Sequence, residues 1–416
     1  MPIIGRYLPS DRLGKHSSKV LVLAMILIAV LVLGATAGLL GQIGNSKEPL
    51  PSETPVRTPA RIAYTMHSPI SIIGNGGFTN ASGVVWGSGT ESDPYIIEGL
   101  DINASTANGI EIQNTDAHFI VRGCHVHDGG GDYYGIRLGD CANGTLENNN
   151  CTNNVVGIGL YLSSNNTLSK NNCSNNADDG MCLVNSNDNT LSNNNCSNNR
   201  DGMYLVYSND NTISSNNCSS NYLDGMYLVY SNDNTLSNNT CNSNYLRGIA
   251  AYSTSNNTLN NNTCSSNSVF GIYLGPSSNT LSGNLICSNG NYGVYATAES
   301  VNCRINNNTF VGNNGAGSVY NPSHVQASDD GTSNSWNSTD GYGNYWSDWT
   351  TPDVAPPDGI VDVPYDIAGS AGAKDYYPLT TAPTEPIPEF GVMPIVVMVF
   401  LAAVLLTREA RRRKAQ

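Results

Sequence analysis

Aspartate and tyrosine recur in this chain at a fixed beat, and each row could do chemistry. Asp179, Asp201 and Asp224 each stand directly before a glycine, and Asp188, Asp210 and Asp233 form a second row. Like charges stacked at regular intervals repel unless a cation lies between them, so calcium is the cofactor these rows would take. Tyr204, Tyr227, Tyr273 and Tyr295 form a third row, interrupted by Ala250. Exposed tyrosines in line offer sugar rings a stacking surface with hydroxyls at its edge. The same residues also suit an ordinary exposed strand face.

Other residue types give weaker signals. A catalytic acid or base should break a repeat, whereas these aspartates keep it. The basic residues beside them are Arg200 and Arg247. Catalysis is therefore not expected, and a polysaccharide hydrolase or lyase, which needs carboxylates spaced for acid and base work, is the rival reading. His125 and His127 flank Val126, so they share one face of a strand and could begin a copper site. No third ligand is evident and no Met-rich or His-rich tract supports copper handling. Copper is not expected, and a copper-binding or delivery protein is the second rival. Eleven cysteines are present, seven of them on one beat at 151, 173, 196, 218, 241, 264 and 287. A single inward row of small thiols packs well, so free buried cysteines are expected rather than disulfides.

What must position these residues is a repeat. From about Gly109 to Gly293 the sequence returns every 22 or 23 residues, with glycines at 157, 180, 202, 225, 248, 271 and 293. Each glycine opens an apolar-any-apolar triplet such as Met203-Tyr204-Leu205. That alternation is the period of a strand with one buried face, and no apolar helical stripe competes with it. Units of this size cannot bury an apolar face alone and must stack. The fold expected is all-β: a single-stranded parallel β-helix of about nine coils, each with three short strands and three turns. Leucine-rich repeats are excluded because their leucine spacing is missing. Two asparagine rows keep the same beat, one from Asn149 to Asn262 before the cysteines and one from Asn154 to Asn267 after them. Stacked coils about 4.8 Å apart would turn each row into an amide ladder.

Composition and the chain ends indicate location. Charged residues make up 12% and the net charge is −14. With the basic ends set aside, 10 basic and 31 acidic residues remain, which disfavours nucleic acid as partner. Residues 1–41 read as a signal peptide or N-terminal membrane anchor: Val20–Leu40 is apolar, and Ala35-Thr36-Ala37 offers a small-x-small cleavage site. A Pro/Ser/Thr linker covers 42–60, an N-terminal cap 61–108, the coils 109–325 and a closing segment 326–380. Residues 381–416 read as a linker, the motif Pro388-Glu389-Phe390-Gly391, a transmembrane helix over Val392–Leu406 and a basic tail, so that apolar helices flank the coils at both ends. The basic tail should stay inside, which leaves the coils outside. Sequons, among them Asn80, Asn103, Asn150, Asn172 and Asn337, would allow glycosylation of exposed sites.

Two resemblances follow from quoted residues. The tail looks like an archaeal PEFG-type C-terminal sorting signal, which implies a membrane sorting enzyme as partner and a cell-surface location. Residues 65–380 resemble the NosD-like right-handed parallel β-helix family, also described as a carbohydrate-binding and sugar-hydrolase type. The likeness is carried by Ile72-Ile73-Gly74-Asn75 and Asp93-Pro94-Tyr95-Ile96-Ile97-Glu98-Gly99 before the coils. After them it is carried by Gly343-Asn344-Tyr345-Trp346-Ser347-Asp348 and Asp358-Gly359-Ile360-Val361-Asp362. This implies a right-handed solenoid tethered at the envelope. As a surface or adhesion protein it would touch membrane, cell envelope and glycans.

Overall fold

The computed structural model describes residues 64–354 and 357–383. They form an all-β, right-handed parallel solenoid of about nine turns. Right-handed crossovers are what parallel strands joined in sequence adopt. Each coil contributes one strand to each of three sheets. The first, here the glycine sheet, stacks eleven strands from Ile70–Ile73 to Ala327–Asp329. The second also has eleven, from Val84–Trp86 to Arg304–Asn306, and its middle strands read Thr-Leu-Ser or Thr-Ile-Ser. The third carries the cysteines. It has four strands from Thr65–His67 to Asn150–Thr152, single bridges from Asn172 to Thr240, then four strands from Thr263–Ser265 to Tyr345–Trp346. Among the described residues there is no α-helix, and none long and apolar enough to cross a membrane. The apolar runs Val20–Leu40 and Val392–Leu406, and the motif at Pro388–Gly391, lie outside the described residues.

Register is strict. Met203 pairs with Met226, Tyr204 with Tyr227 and Leu205 with Leu228. The inward member of every strand is buried, so Met203, Leu205, Ile213 and Cys218 of one coil stack on Met226, Leu228, Leu236 and Cys241 of the next. All eleven cysteines are free. One departs from the expected row: Cys264 pairs with Ile286, not Cys287, which is half-buried. A slip of one residue turns a strand side chain to the other face. Aromatic side chains close both ends of the core. Phe78 stacks on Tyr95 at 4.5 Å, while Phe310, Trp346 and Tyr365 pile up at 4.2 and 4.0 Å.

Asparagines hold the corners. Both expected amide ladders form, and a third, from Asn166 to Asn279, runs beside the Thr-Leu-Ser sheet. Asn216 shows the pattern. Its Nδ2 donates to Asn239 Oδ1 at 3.0 Å and to the Leu191 carbonyl at 2.9 Å, and its backbone N–H also donates to Asn239 Oδ1, at 2.9 Å. Its own Oδ1 accepts from Asn194 Nδ2 at 3.0 Å and from the Asn194 backbone at 2.9 Å. The buried amide is thus satisfied on every side. The glycine beat admits the other ladder, the one that begins at Asn154. A Cβ on Gly225 would lie 2.5 Å from the Gly248 carbonyl and 2.8 Å from Asn244 Nδ2.

Candidate functional site on the glycine sheet

The outward side of the glycine sheet carries two columns of functional side chains. Residues two after each glycine run Arg137, Gly159, Cys182, Tyr204, Tyr227, Ala250, Tyr273 and Tyr295 in continuous register. The four expected tyrosines therefore share one column, half-buried along their flanks. Tyr204 stacks on Tyr227 at 5.4 Å, and Tyr273 meets Tyr295 at 5.9 Å. The gap at Ala250 is filled from the neighbouring column. The Arg247 guanidinium lies 5.5 Å from the Tyr227 ring and 4.8 Å from the Tyr273 ring. Phe270 extends the surface, 5.0 Å from Tyr295, with Tyr292 at 6.1 Å from the same ring. Sequence reading set Arg247 beside the aspartates but not among the rings, and it missed Phe270 and Tyr292. They occupy the aspartate column, where Asp224 pairs with Arg247 and Arg247 with Phe270. Following that column past the last aspartate would have found them.

The aspartate row is not on the open surface, where the sequence placed it. Asp179, Asp201 and Asp224 are each at most 2% exposed. Arginines pair with two of them. Asp224 is held in a two-pronged pair by Arg247, at 2.8 and 2.7 Å. Asp201 accepts from Arg200 Nε at 3.3 Å and from the Asp224 backbone N–H at 2.9 Å. Arg200 also pairs with Asp178 at 2.5 Å. Asp179 is left with Oδ1 unpartnered. Burial, with Asp178 and Asp201 adding repulsion, pushes its carboxyl up to about 8. It is therefore a protonated acid at neutral pH. The second row does not join this site. Asp188, Asp210 and Asp233 are exposed corner residues with φ of 56°, 57° and 56°, a left-handed turn that aspartate tolerates.

Toward the N-terminus the same face becomes a polar network. Tyr134 and Tyr161 share a hydroxyl hydrogen bond of 2.7 Å, Arg137 lies 4.9 Å over the Tyr161 ring, and Arg137 pairs with Glu111 at 2.7 Å. Burial pushes both tyrosine hydroxyls up. The face thus runs from hydrogen-bonding groups to stacked rings.

Residues 177–351 match the family described as "Periplasmic copper-binding protein (NosD)", and residues 65–207 match "Right handed beta helix region". The chain is thus similar to the NosD family over its later coils and to the general right-handed β-helix over its earlier ones. No curated protein matches it. Solved structures similar to this solenoid include a double mutant of the periplasmic alginate epimerase AlgG. That likeness has 18% identity and a TM-score of 0.44, covering 48% of this chain and 56% of that one. The A-module of the Azotobacter vinelandii mannuronan C-5 epimerase AlgE6 gives 17% identity and a TM-score of 0.45, covering 58% and 72%. Pectate lyase Pel9A gives 14% and 0.42, covering 67% and 82%. The chain thus spans little more than half the length of the AlgG structure.

The NosD description implies copper, and the side chains can be tested for it. Among the described residues one group of three donors converges: Asp101, His125 and His127, whose ligand atoms lie within 4.8 Å of one another. The sequence reading found the two histidines and no third ligand. Asp101 supplies it from the preceding coil, directly in register with His125. It escaped notice because it stands 24 residues upstream, in an opening coil where the glycine and cysteine beats have not begun. Two imidazoles and a carboxylate fit a late first-row metal ion.

Proposed function

We propose that this protein is an extracytoplasmic, non-catalytic β-helix that binds glycans along the outer face of its glycine sheet. The reading rests on the column Tyr204–Tyr227–Arg247–Tyr273–Tyr295, four half-exposed rings kept in line by strand register and bridged by one guanidinium. Rings spaced by coil stacking, about 4.8 Å apart, present a long aromatic strip rather than a pocket. An extended polysaccharide suits that shape better than a small ligand. Arg247 is neutralised by Asp224, so the strip favours neutral sugar faces over acidic ones. A glycan array on the full chain tests this. Binding should weaken at least tenfold in Tyr204→Ala/Tyr227→Ala with unchanged thermal unfolding. Normal binding by that variant removes the proposal.

Tethering at the envelope belongs to the same reading and is supported by Val392–Leu406 followed by Arg408 and Arg411–Lys414. Removing residues 388–416 should release the protein into the medium. Retention would transfer the anchoring role to Val20–Leu40. Calcium enters only through the exposed corner row Asp188, Asp210 and Asp233, because in the buried row arginines pair with Asp201 and Asp224 and burial favours the neutral form of Asp179. A melting temperature unmoved by calcium takes it out.

One observation favours a second reading, cleavage of a polysaccharide by acid–base chemistry. Asp179 is a buried carboxyl pushed up to about 8, with an unpartnered oxygen and with Cys182 and Arg200 beside it. A carboxylic acid held neutral at pH 7 is what protonating a leaving group requires. Incubation with the glycans retained on the array separates the two readings, since a binding protein returns them intact. Chain shortening that disappears in Asp179→Asn would establish the enzyme.

A further inference from the structure

The three donors Asp101, His125 and His127 lie on the outer side of the cysteine sheet, away from the glycine-sheet face and outside the residues that match the NosD family. Strand pairing places them. Asp101 sits beside His125 on the neighbouring strand, and Asn103 beside His127. His125 Nδ1 is 2.8 Å from Asp101 Oδ1, and His127 Nε2 is 3.3 Å from the same oxygen. All three side chains are roughly one quarter exposed, enough for an ion to enter and for exchange to be possible.

What marks this as more than two histidines near a carboxylate is the shell behind it. His127 Nδ1 is 2.9 Å from Asp128 Oδ2, and Asp128 Oδ2 also accepts from Asn103 Nδ2 at 3.0 Å. A carboxylate on the far nitrogen of an imidazole fixes ring orientation and tautomer in metal sites. With the Nδ1 proton given to Asp128, Nε2 turns its lone pair toward the Asp101 oxygen. Two lone pairs then face each other at 3.3 Å unless a second proton or a metal ion lies between them. His125 is also held. Its ring packs 4.4 Å from His127 and 5.6 Å from Tyr64. Both imidazoles are thus oriented before any ligand arrives, which lowers the entropic penalty of binding.

We propose that Asp101, His125 and His127 form a binding site for a divalent late first-row transition metal, with Asp128 and Asn103 as its positioning residues. Two nitrogen donors and one oxygen donor exclude calcium and magnesium as preferred ions and follow the order that places copper(II) above zinc(II) and nickel(II). Three protein ligands leave an open position for water or for a donor from another molecule. The site is independent of glycan binding, so the two proposals stand or fall separately.

The full chain, prepared without a histidine tag and with its thiols blocked, is titrated with copper(II) and with zinc(II). Calorimetry is followed by electron paramagnetic resonance on the copper form. One equivalent of copper should bind, with nitrogen hyperfine structure in the spectrum. Both His125→Ala and His127→Ala should lose that signal and weaken binding at least 100-fold. Asp128→Asn, which keeps all three ligands, should weaken it about 10-fold to 100-fold. His324→Ala, an exposed histidine elsewhere, serves as control and should change nothing. Circular dichroism melts confirm that each variant is folded, as expected for outward-facing positions. Equal copper binding by His125→Ala and wild type, or loss of binding in His324→Ala, overturns the assignment.

Discussion

In the coils between Gly157 and Asn308 each corner asparagine of the ladders meets a copy of itself. Between Gln326 and Asp375 the stack has to stop. The nine asparagines from Asn149 to Asn344 all donate in one direction, each amide N–H to the oxygen of the coil that follows. At the start of that ladder the Asn149 oxygen accepts the Cys124 backbone N–H at 3.0 Å. At its end Asn344 meets Asp375, which accepts the Asn344 backbone N–H at 2.7 Å and Trp346 Nε1 at 2.9 Å. The ladder beginning at Asn154 ends likewise. Asn313 donates to Gln326 Oε1, and Gln326 Nε2 donates to Asp348 Oδ1 at 2.6 Å. A row of amides can pass hydrogen bonds on indefinitely, but its last N–H groups need a partner that only accepts. An ionised carboxylate is that partner. Repetition selects asparagine and termination selects aspartate, for one reason.

The sharpest way to break the repeating side is Gly225→Ala, because the new methyl would strike the Gly248 carbonyl and the Asn244 amide. A loss above ~4 kcal/mol in denaturant unfolding is expected. Gly317→Ala, in the loop that leads into the closing region, meets nothing within 4 Å and should stay within about 0.5 kcal/mol. Similar losses at the two positions would refute the account of the glycine row.

The next contrast exchanges the two chemistries. Asn216→Asp removes both N–H groups from a buried rung and sets its oxygens against Asn239 Oδ1 and the Leu191 carbonyl. Several buried acceptors lose their donors, so about 3–5 kcal/mol should be lost. Asp375→Asn turns one of two accepting oxygens into an N–H donor that faces either Asn344 and Trp346 or Tyr377, and should cost about 1–3 kcal/mol at pH 7. The proposed division of roles fails if either exchange is tolerated.

A pH series refines the same comparison. Burial raises the Asp375 carboxyl from 3.8 to about 6 despite its four donors. The folded state therefore holds this proton more tightly than the unfolded state. The contribution of Asp375 is greatest below about pH 4, falls as pH rises through about 4 to 6, and is constant above. The drop is roughly 3 kcal/mol at ~1.4 kcal/mol for each pH unit. Chemical unfolding across that window should show it in the wild type and lack it in Asp375→Asn. The smallest effect belongs to surface stacking. Tyr222 and Tyr245 stack at 5.5 Å yet are 67% and 60% exposed, so Tyr222→Ala should lose less than ~1 kcal/mol.

Most of the wall was legible in the sequence, because a parallel stack turns a period into a contact. Leu205 over Leu228 and Tyr204 over Tyr227 needed only the 23-residue step. The third amide ladder, Asn166 to Asn279, keeps the same step and could have been read from it. What the period could not show is which side chains lean over one another outside the barrel. The glycine, aspartate and tyrosine beats give columns, but the burial of Asp224 depends on Arg247 reaching across one coil. Cys287 was misplaced because a single residue fewer in the coil moves the register while the residue type stays plausible. Asp101 was missed for a related reason. The opening coils differ in length from the rest, so a spacing learned from the middle does not transfer to the end.

The one-way amide ladders make the rod directional, with a backbone N–H face at one end and a carboxylate face at the other. Any coil between those faces can be duplicated or deleted without new end chemistry, because each rung asks the same of its neighbours. Adding one 22- or 23-residue unit would lengthen the molecule by about 4.8 Å. Rod length is then a parameter that tandem duplication can tune, as marks are added to a ruler, while the two finished ends stay as they are.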